Sequence, residues 1–387
     1  MDITIRPGPL RGGITAIPSK SQAHRLLICA AFADKPTTLI CPETNRDIEA
    51  TADCLRALGA VIDRTESGYT VEPIAVPSER AVLNCGESGS TLRFLLPVAG
   101  ALGVDALFQL EGRLPKRPLS PLWEEMERMG CTLSRPTENT IRCRGKLMSG
   151  QYRIDGSISS QFVSGLLFAL PLVGGSSLEI TGHVESQPYI DMTRQALQLF
   201  SAPLFHSPGT VMVEGDWSNA AFWLAANALG SSLTISNLDP DSHQGDRAAA
   251  NLIPALHRHS IIDAADIPDL VPIMAVVAAC NHGAVFENIR RLRIKESDRV
   301  TSTIAMLEAL GGRAEATEDT LTVYGTGLVG GTVDAQNDHR IAMSAAIAAT
   351  ACRESVTILD AQCVSKSYPK FWEEFRRLGG NYELDLR

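Results

Sequence analysis

The sequence predicts an α/β fold assembled from one unit written six times. Three observations predict it. Six segments rich in Ala and Leu are apolar nearly all round, at 21–34, 90–103, 160–174, 217–230, 269–283 and 338–351. Each is followed by a short β-branched strand: TTLI at 37, ALFQL at 106, SLEIT at 177, SLTIS at 232, AVFEN at 284 and VTILD at 356. Amphipathic segments then close on glycine, as in LRALGA (55–60), MERMGC (126–131), MLEALGG (306–312) and FRRLGG (375–380).

The elements follow in order. A helix that is apolar on every side belongs inside a domain. The amphipathic helices cover a sheet, and Gly after the last turn supplies the left-handed cap. A strand pair ends the unit, as in YTVEP, NTIRCRG and TLTVYG. Strand starts recurring every ~50–70 residues mark an array of supersecondary units. Two units read as cut down. The chain passes quickly from the helix near Met192–Phe200 to VMVEG at 211, and from SIIDAAD directly into the next helix, so strands are missing there.

The bulk numbers narrow the function classes. With 387 residues, 44% hydrophobic and 20% charged, the chain has material for about two domains. A net charge of −9 argues against nucleic acid as the main partner. It still allows a local basic pocket for a small anion. Nine scattered cysteines without a CxxC pattern predict a reduced, cytoplasmic protein with neither disulfide framework nor zinc site. The N-terminal MDITIRPGPLRGG lacks an apolar signal core. Apolar runs such as Leu166–Val173 fall short of the roughly 20 residues that span a bilayer. His257-Arg258-His259 reads as a solvated helix end.

The starts of the apolar helices carry the chemistry. They read Ser19-Lys20-Ser21, Glu87-Ser88-Gly89-Ser90-Thr91, Ser159-Ser160-Gln161, Asp216-Trp217-Ser218, Pro268-Asp269 and Asn337-Asp338-His339-Arg340. Ser, Thr and Asp cap helices, but capping does not explain Lys20, Gln161 or Arg340. Free N–H groups and the positive dipole end favour anions there. Several such ends converging between two domains would form an anion-binding cleft. The loops add cations: Arg113, Lys116 and Arg117; Arg290, Arg291, Arg293, Lys295 and Arg299; and Lys366. A phosphate plus a carboxylate needs several such forks. No nucleotide-binding glycine loop is present, and Gly86-Glu87-Ser88-Gly89-Ser90 does not form a nucleophile elbow.

From end to end the chain resembles the 5-enolpyruvylshikimate-3-phosphate synthase family. The matching stretches are PSKSQAHR (18–25), NCGESGSTLRF (84–94), GRLPKRP (112–118), DGSISSQF (155–162), ESQPYID (185–191), VEGDWSNAAFWLA (213–225), IPDLVP (267–272), RIKESDR (293–299), NDHRIAM (337–343) and SKSYP (365–369). The resemblance implies a two-domain inside-out α/β barrel of six βαβαββ-type units, two truncated here, that closes on its substrates. It places 14–212 in an N-terminal domain, mainly on the shikimate 3-phosphate side. Residues 1–13 and 213–387 form a C-terminal domain, mainly on the phosphoenolpyruvate side and holding the catalytic carboxylates. The implied activity is that of a 3-phosphoshikimate 1-carboxyvinyltransferase. It moves the enolpyruvyl group of phosphoenolpyruvate to the 5-hydroxyl of shikimate 3-phosphate, in aromatic amino acid biosynthesis, as a cytoplasmic monomer without metal or organic cofactor.

Residue by residue, the resemblance implies that Lys20, Gly89, Arg117, Gln161, Arg299, Arg340 and Lys366 hold phosphoenolpyruvate. Ser21, Arg25, Ser159, Ser160, Ser186, Tyr189 and Lys295 hold shikimate 3-phosphate, with Lys20, Gln161 and Asp269 shared. Asp269 accepts the hydroxyl proton, and Glu296 or Lys20 protonates C3. Two plainer roles compete: Asp269 as an N-cap, and Glu296 with Arg299 as a surface pair three residues apart. The chain departs from the family's usual P-G-S-K-S, reading Ile17-Pro18-Ser19-Lys20-Ser21. Arg291 stands where many members carry Asn and is assigned no contact. Gly89 implies sensitivity to glyphosate. The competing functions are the sister transferase acting on UDP-N-acetylglucosamine, which carries a cysteine where Gly112 stands, and a non-catalytic anion-binding scaffold.

Overall fold

The computed structural model describes residues 1–385. Its contacts divide the chain into two compact units, one formed by 1–17 with 215–387 and the other by 18–214. Each has its own hydrophobic core, and each core is centred on three of the apolar helices.

In the 18–214 unit these helices are Lys20–Ala31, Gly89–Leu102 and Ser160–Val173. They are buried around most of their circumference because almost every position is apolar or small. Gly165 lets two of them approach closely: a Cβ there would collide with the Arg93 carbonyl. In the other unit Trp217–Ala228, Val271–Cys280 and His339–Ala349 pack together. Trp223 lies there, 1% exposed and stacked on Phe371. Truncating it to Ala would cost about 3–5 kcal/mol.

Among the described residues, four sheets have four strands with one repeated pattern, a parallel pair followed by two antiparallel pairings. Arg80–Gly86 lies parallel to Asp105–Leu110, which pairs antiparallel with Thr140–Gly145, itself paired with Cys131–Ser134. The remaining two sheets have only two strands, Gln151–Asp155 with Ser177–Thr181 and Arg11–Thr15 with Ser232–Ser236. These are the two units read from the sequence as cut down. No strand separates helix Gln187–Leu199 from strand Thr210–Met212, or helix Ala249–Ala255 from strand Ser260–Asp263.

The strands beside the two chain crossings are exchanged. Arg11–Thr15 precedes helix Lys20–Ala31 in sequence yet pairs with Ser232–Ser236. Thr210–Met212 precedes helix Trp217–Ala228 yet pairs with Thr37–Ile40. The first strand, Asp2–Arg6, lies between Val356–Leu359 and Asn381–Asp385, completing the last four-stranded sheet.

The four predicted terminal glycines, Gly59, Gly130, Gly311 and Gly379, all take positive φ after their helices. Residues 257–259 are exposed beyond helix Ala249–Ala255. The nine cysteines are unpaired thiols. No helix among the described residues is long and apolar enough to cross a membrane.

Candidate active site

In the 18–214 unit, the sequence-predicted residues gather at helix starts. Ser19 caps helix Lys20–Ala31, and Lys20 in its first turn pairs with Asp47 at 2.9 Å, both side chains being mostly buried. Ser88 caps helix Gly89–Leu102. Gly89 faces two guanidinium groups: a Cβ there would lie 2.6 Å from Arg117 Nη1 and 2.9 Å from Arg93 Nη1. Arg93 Nη1 donates to Gln161 Oε1 (2.8 Å), and Gln161 Nε2 donates to Ser90 Oγ (2.9 Å). Gly89, Arg117 and Gln161, distant in sequence, therefore meet around Arg93. Arg117 has no carboxylate partner among the described residues, and its Nε is buried without a hydrogen bond. Such a cluster of positive charge, two helix N-termini and neutral donors suits an anion.

Ser159 caps helix Ser160–Val173 and accepts from the Gln161 amide. Ser159 and Ser160 are buried. Arg25 donates to Thr193 Oγ1 and to the carbonyls of Ser21 and Tyr189, and lies 5.1 Å over the Phe94 ring. Burial lowers it to about 10. It thereby ties together the segments bearing Ser21 and Tyr189. Ser186, before helix Gln187–Leu199, has φ 55° and ψ 42°. That region is sparsely populated by non-glycine residues and costs energy to hold.

In the other unit the predicted residues form one ionic network. Asp269 Oδ1 meets Arg299 Nη1 at 2.6 Å and Lys295 Nζ at 3.2 Å, and its Oδ2 meets Arg340 Nη2 at 3.1 Å. Glu296 Oε2 lies 2.6 Å from Arg299 Nη2. Arg299, 1% exposed, also pairs with the fully buried Asp338 at 2.9 Å. Asp338 caps helix His339–Ala349 by accepting from the Arg340 amide. Lys366 donates to the Asn337 carbonyl at 2.8 Å.

The two plainer roles do not survive. Helix Val271–Cys280 starts at Leu270 without a side-chain cap, so Asp269 is not spent on capping. Arg299 is buried and shared by three carboxylates, so Glu296–Arg299 is no surface pair. Burial drives Lys295 from 10.5 down to about 8; Asp269 opposes this, and Arg291 and Arg299 add to it. Burial pushes Asp338 up, but the charge and hydrogen bond of Arg299 together with His339 outweigh it, and the carboxyl ends below its usual range.

The EPSP synthase (3-phosphoshikimate 1-carboxyvinyltransferase) family model matches residues 5–259 and 252–375. The chain belongs to the EPSP synthase family. It is 38% identical to the 3-phosphoshikimate 1-carboxyvinyltransferase of Clostridium kluyveri over 421 aligned positions, covering 99% of this chain and 98% of that protein. The counterpart from Clostridium acetobutylicum is 38% identical over 417 positions, covering 98% and 97%. Because 421 positions exceed 387 residues, at least 34 positions of the Clostridium kluyveri protein fall opposite gaps here. The EPSP synthase structure from Acinetobacter baumannii shares the fold, with TM-score 0.76 and 22% identity over the whole of both chains. So does the enolpyruvyl transferase NikO from Streptomyces tendae, with TM-score 0.74 and 19% identity over 99% and 98%. Among the functions weighed from the sequence, membership of this family favours transfer to shikimate 3-phosphate over the UDP-sugar and scaffold alternatives.

Three residues of this EPSP synthase family member were missed in the sequence. Arg93 is the one charge in an apolar helix, a signal present but unused. Asp47 follows an Asn45 cap, where an acidic residue is ordinary. Asp246, fully buried and bonded to Ser218, gave no signal; burial, then Asp269, raises it to about 6.

Proposed function

We propose that the chain transfers the enolpyruvyl group of phosphoenolpyruvate to the 5-hydroxyl of shikimate 3-phosphate by addition–elimination, with Asp269 as the base. The observation that carries this is the aim of Asp269. Three cations orient its carboxylate while capping makes no claim on it. Asp269 takes the 5-hydroxyl proton as that oxygen attacks C2. Fixed charge and positioned acid–base groups suffice for the step.

Lys20, Gly89, Arg117, Gln161, Arg299, Arg340 and Lys366 hold the phosphate and carboxylate of phosphoenolpyruvate. Ser21, Arg25, Ser159, Ser160, Ser186, Tyr189 and Lys295 hold shikimate 3-phosphate, and Arg25 also braces Ser21 and Tyr189. Glu296 pairs with Arg299. An anion arriving at Arg299 takes over that hydrogen bond, leaving Glu296 to carry a proton to C3; Lys20 is the competing donor. The 18–214 unit thus serves mainly shikimate 3-phosphate, and the other unit supplies the carboxylates. All these groups come from one chain, which works as a monomer, and its mostly buried thiols suit a reducing cytoplasm. Glyphosate competes with phosphoenolpyruvate because Gly89 leaves room beside Arg117.

Phosphate release from phosphoenolpyruvate tests this. It should occur with shikimate 3-phosphate and not with UDP-N-acetylglucosamine. Release only with the UDP-sugar, or with neither acceptor, overturns the assignment. Absence of glyphosate inhibition near the KM for phosphoenolpyruvate overturns the last point alone.

A further inference from the structure

Helix Lys20–Ala31 and helix Arg46–Leu58 are joined at two levels. At the outer level Lys20 Nζ meets Asp47 Oδ2 at 2.9 Å. One helical turn deeper, four residues on from each partner, His24 Nδ1 meets Thr51 Oγ1 at 2.7 Å. From Thr51 the polar chain continues. Its Oγ1 lies 2.7 Å from Thr91 Oγ1, and Thr91 Oγ1 donates to Ser88 Oγ at 2.8 Å. Ser88 also accepts from the Thr91 amide at 3.2 Å. His24, Thr51 and Thr91 are 0% exposed and Ser88 is 1% exposed. The next residue is Gly89.

The direction of this chain follows from counting protons. Each hydroxyl has one to give. Thr91 gives its single proton to Ser88, or to the Asp47 carbonyl at 3.4 Å, which leaves none for Thr51. Thr51 must therefore donate to Thr91, and His24 must donate to Thr51. The imidazole is the Nδ1–H tautomer, with a bare Nε2. That nitrogen is buried without a hydrogen-bond partner, which suits a lone pair better than an N–H. Burial, reinforced by Lys20 and Arg25, keeps the ring neutral.

A histidine present only to fill space would not need an ordered proton chain across three separate elements. This chain begins four residues from Lys20, passes four residues from Asp47, and ends beside Gly89. The tolerance at Gly89 is small, since Arg117 and Arg93 stand 2.6 and 2.9 Å from where a Cβ would be. We propose that His24 is a positioning residue: through Thr51, Thr91 and Ser88 it fixes the distance between the helix carrying Lys20 and the helix start carrying Gly89. This rests on the function proposed above, in which both residues hold phosphoenolpyruvate.

The experiment is steady-state kinetics of the full chain, with melting temperature recorded for each variant. His24→Leu and Thr51→Val should each raise the KM for phosphoenolpyruvate roughly tenfold and change kcat by less than about threefold, because misplaced binding groups weaken capture first. The double variant should be little worse than either single one, since both cut the same chain. His24→Asn places an amide N–H near the Nδ1 position and should bring KM back to within about threefold of the parent; His24→Gln, whose amide lies nearer Nε2, should not. Thr51→Val is nearly isosteric and gives the readout alone if the His24 variants do not fold. Unchanged KM in Thr51→Val, whatever its melting temperature, overturns the proposal. So do multiplicative effects in the double variant, or equal rescue by Gln and Asn. An inactive parent chain would instead overturn the proposed function, so the two failures are distinct.

Discussion

The two units handle charge in opposite ways. Around Gly89 the partners are guanidinium groups, an amide and hydroxyls, and Arg117 has no carboxylate beside it among the described residues. Around Asp269 the charges interlock: three carboxylates, Asp269, Glu296 and Asp338, share Arg299, with Lys295 and Arg340 at the edge. In the first arrangement the Arg117 charge has no carboxylate to neutralise it among the described residues. The second is neutralised from within, so a ligand must exchange partners with residues already paired. In the proposed function the first region attracts an anion, and the second orients carboxylates and moves protons. Mutations should separate the two by kinetic parameter.

The largest effect should come from the interlocked region. Asp269→Ala removes the proposed base and one partner from each of three cations, and turnover should fall at least ~100-fold, measured as phosphate release. Near-normal turnover would remove Asp269 from the mechanism and leave the network a structural one. Around Gly89 the loss should appear in KM instead. Arg117→Ala should raise the KM for phosphoenolpyruvate roughly tenfold with a smaller change in kcat, the pattern of lost uniform binding. Gly89→Ala should act in the same direction, because its Cβ displaces Arg117 and Arg93. A fall in kcat with unchanged KM in either variant would erase the contrast between the units.

Much of the fold was legible in the sequence, and the reasons are local. The apolar helices, their Ser and Asp caps, the terminal glycines and the two truncated units all depend on residues close together in the chain. Pairings over long separations were not legible. Arg11–Thr15 lies beside Ser232–Ser236 because of a chain crossing that no local pattern records. Arg93 was passed over because a single Arg in an apolar helix does not say what it faces. The surroundings of Arg25 were not legible either: the resemblance implies a ligand contact, and only the structure shows that its donors also reach Thr193, Ser21 and Tyr189. A side chain's remaining hydrogen-bonding capacity is a three-dimensional property.

A pH experiment sharpens the contrast with a smaller effect. Lys295 is pushed down to about 8, so it is cationic below that pH and neutral above it. The KM for shikimate 3-phosphate should rise several-fold as pH passes ~8, as expected for loss of one charge-assisted contact. Lys295→Arg should abolish that limb, because guanidinium stays charged. Stability should move the other way. Between about 8 and 10.5 the unfolded chain holds a proton at Lys295 that the folded chain has released, so this residue's contribution improves as pH rises through that window. A limb that persists in Lys295→Arg would assign the titration to another group.

The smallest effect separates binding from folding at one residue. Ser186 sits in the left-handed region at φ 55°, a conformation that costs a non-glycine residue about 1 kcal/mol. Ser186→Gly relieves that cost but adds backbone entropy to the unfolded chain, worth roughly 0.5–1 kcal/mol in the opposite sense. The two nearly cancel, so the melting temperature should hardly move. The hydroxyl is lost all the same, and the KM for shikimate 3-phosphate should rise several-fold, as expected when a hydrogen bond to a charged ligand is removed. A raised KM at constant melting temperature would identify the strained backbone as the means of presenting that hydroxyl. An unchanged KM would take Ser186 out of the binding set and leave the strain without a function.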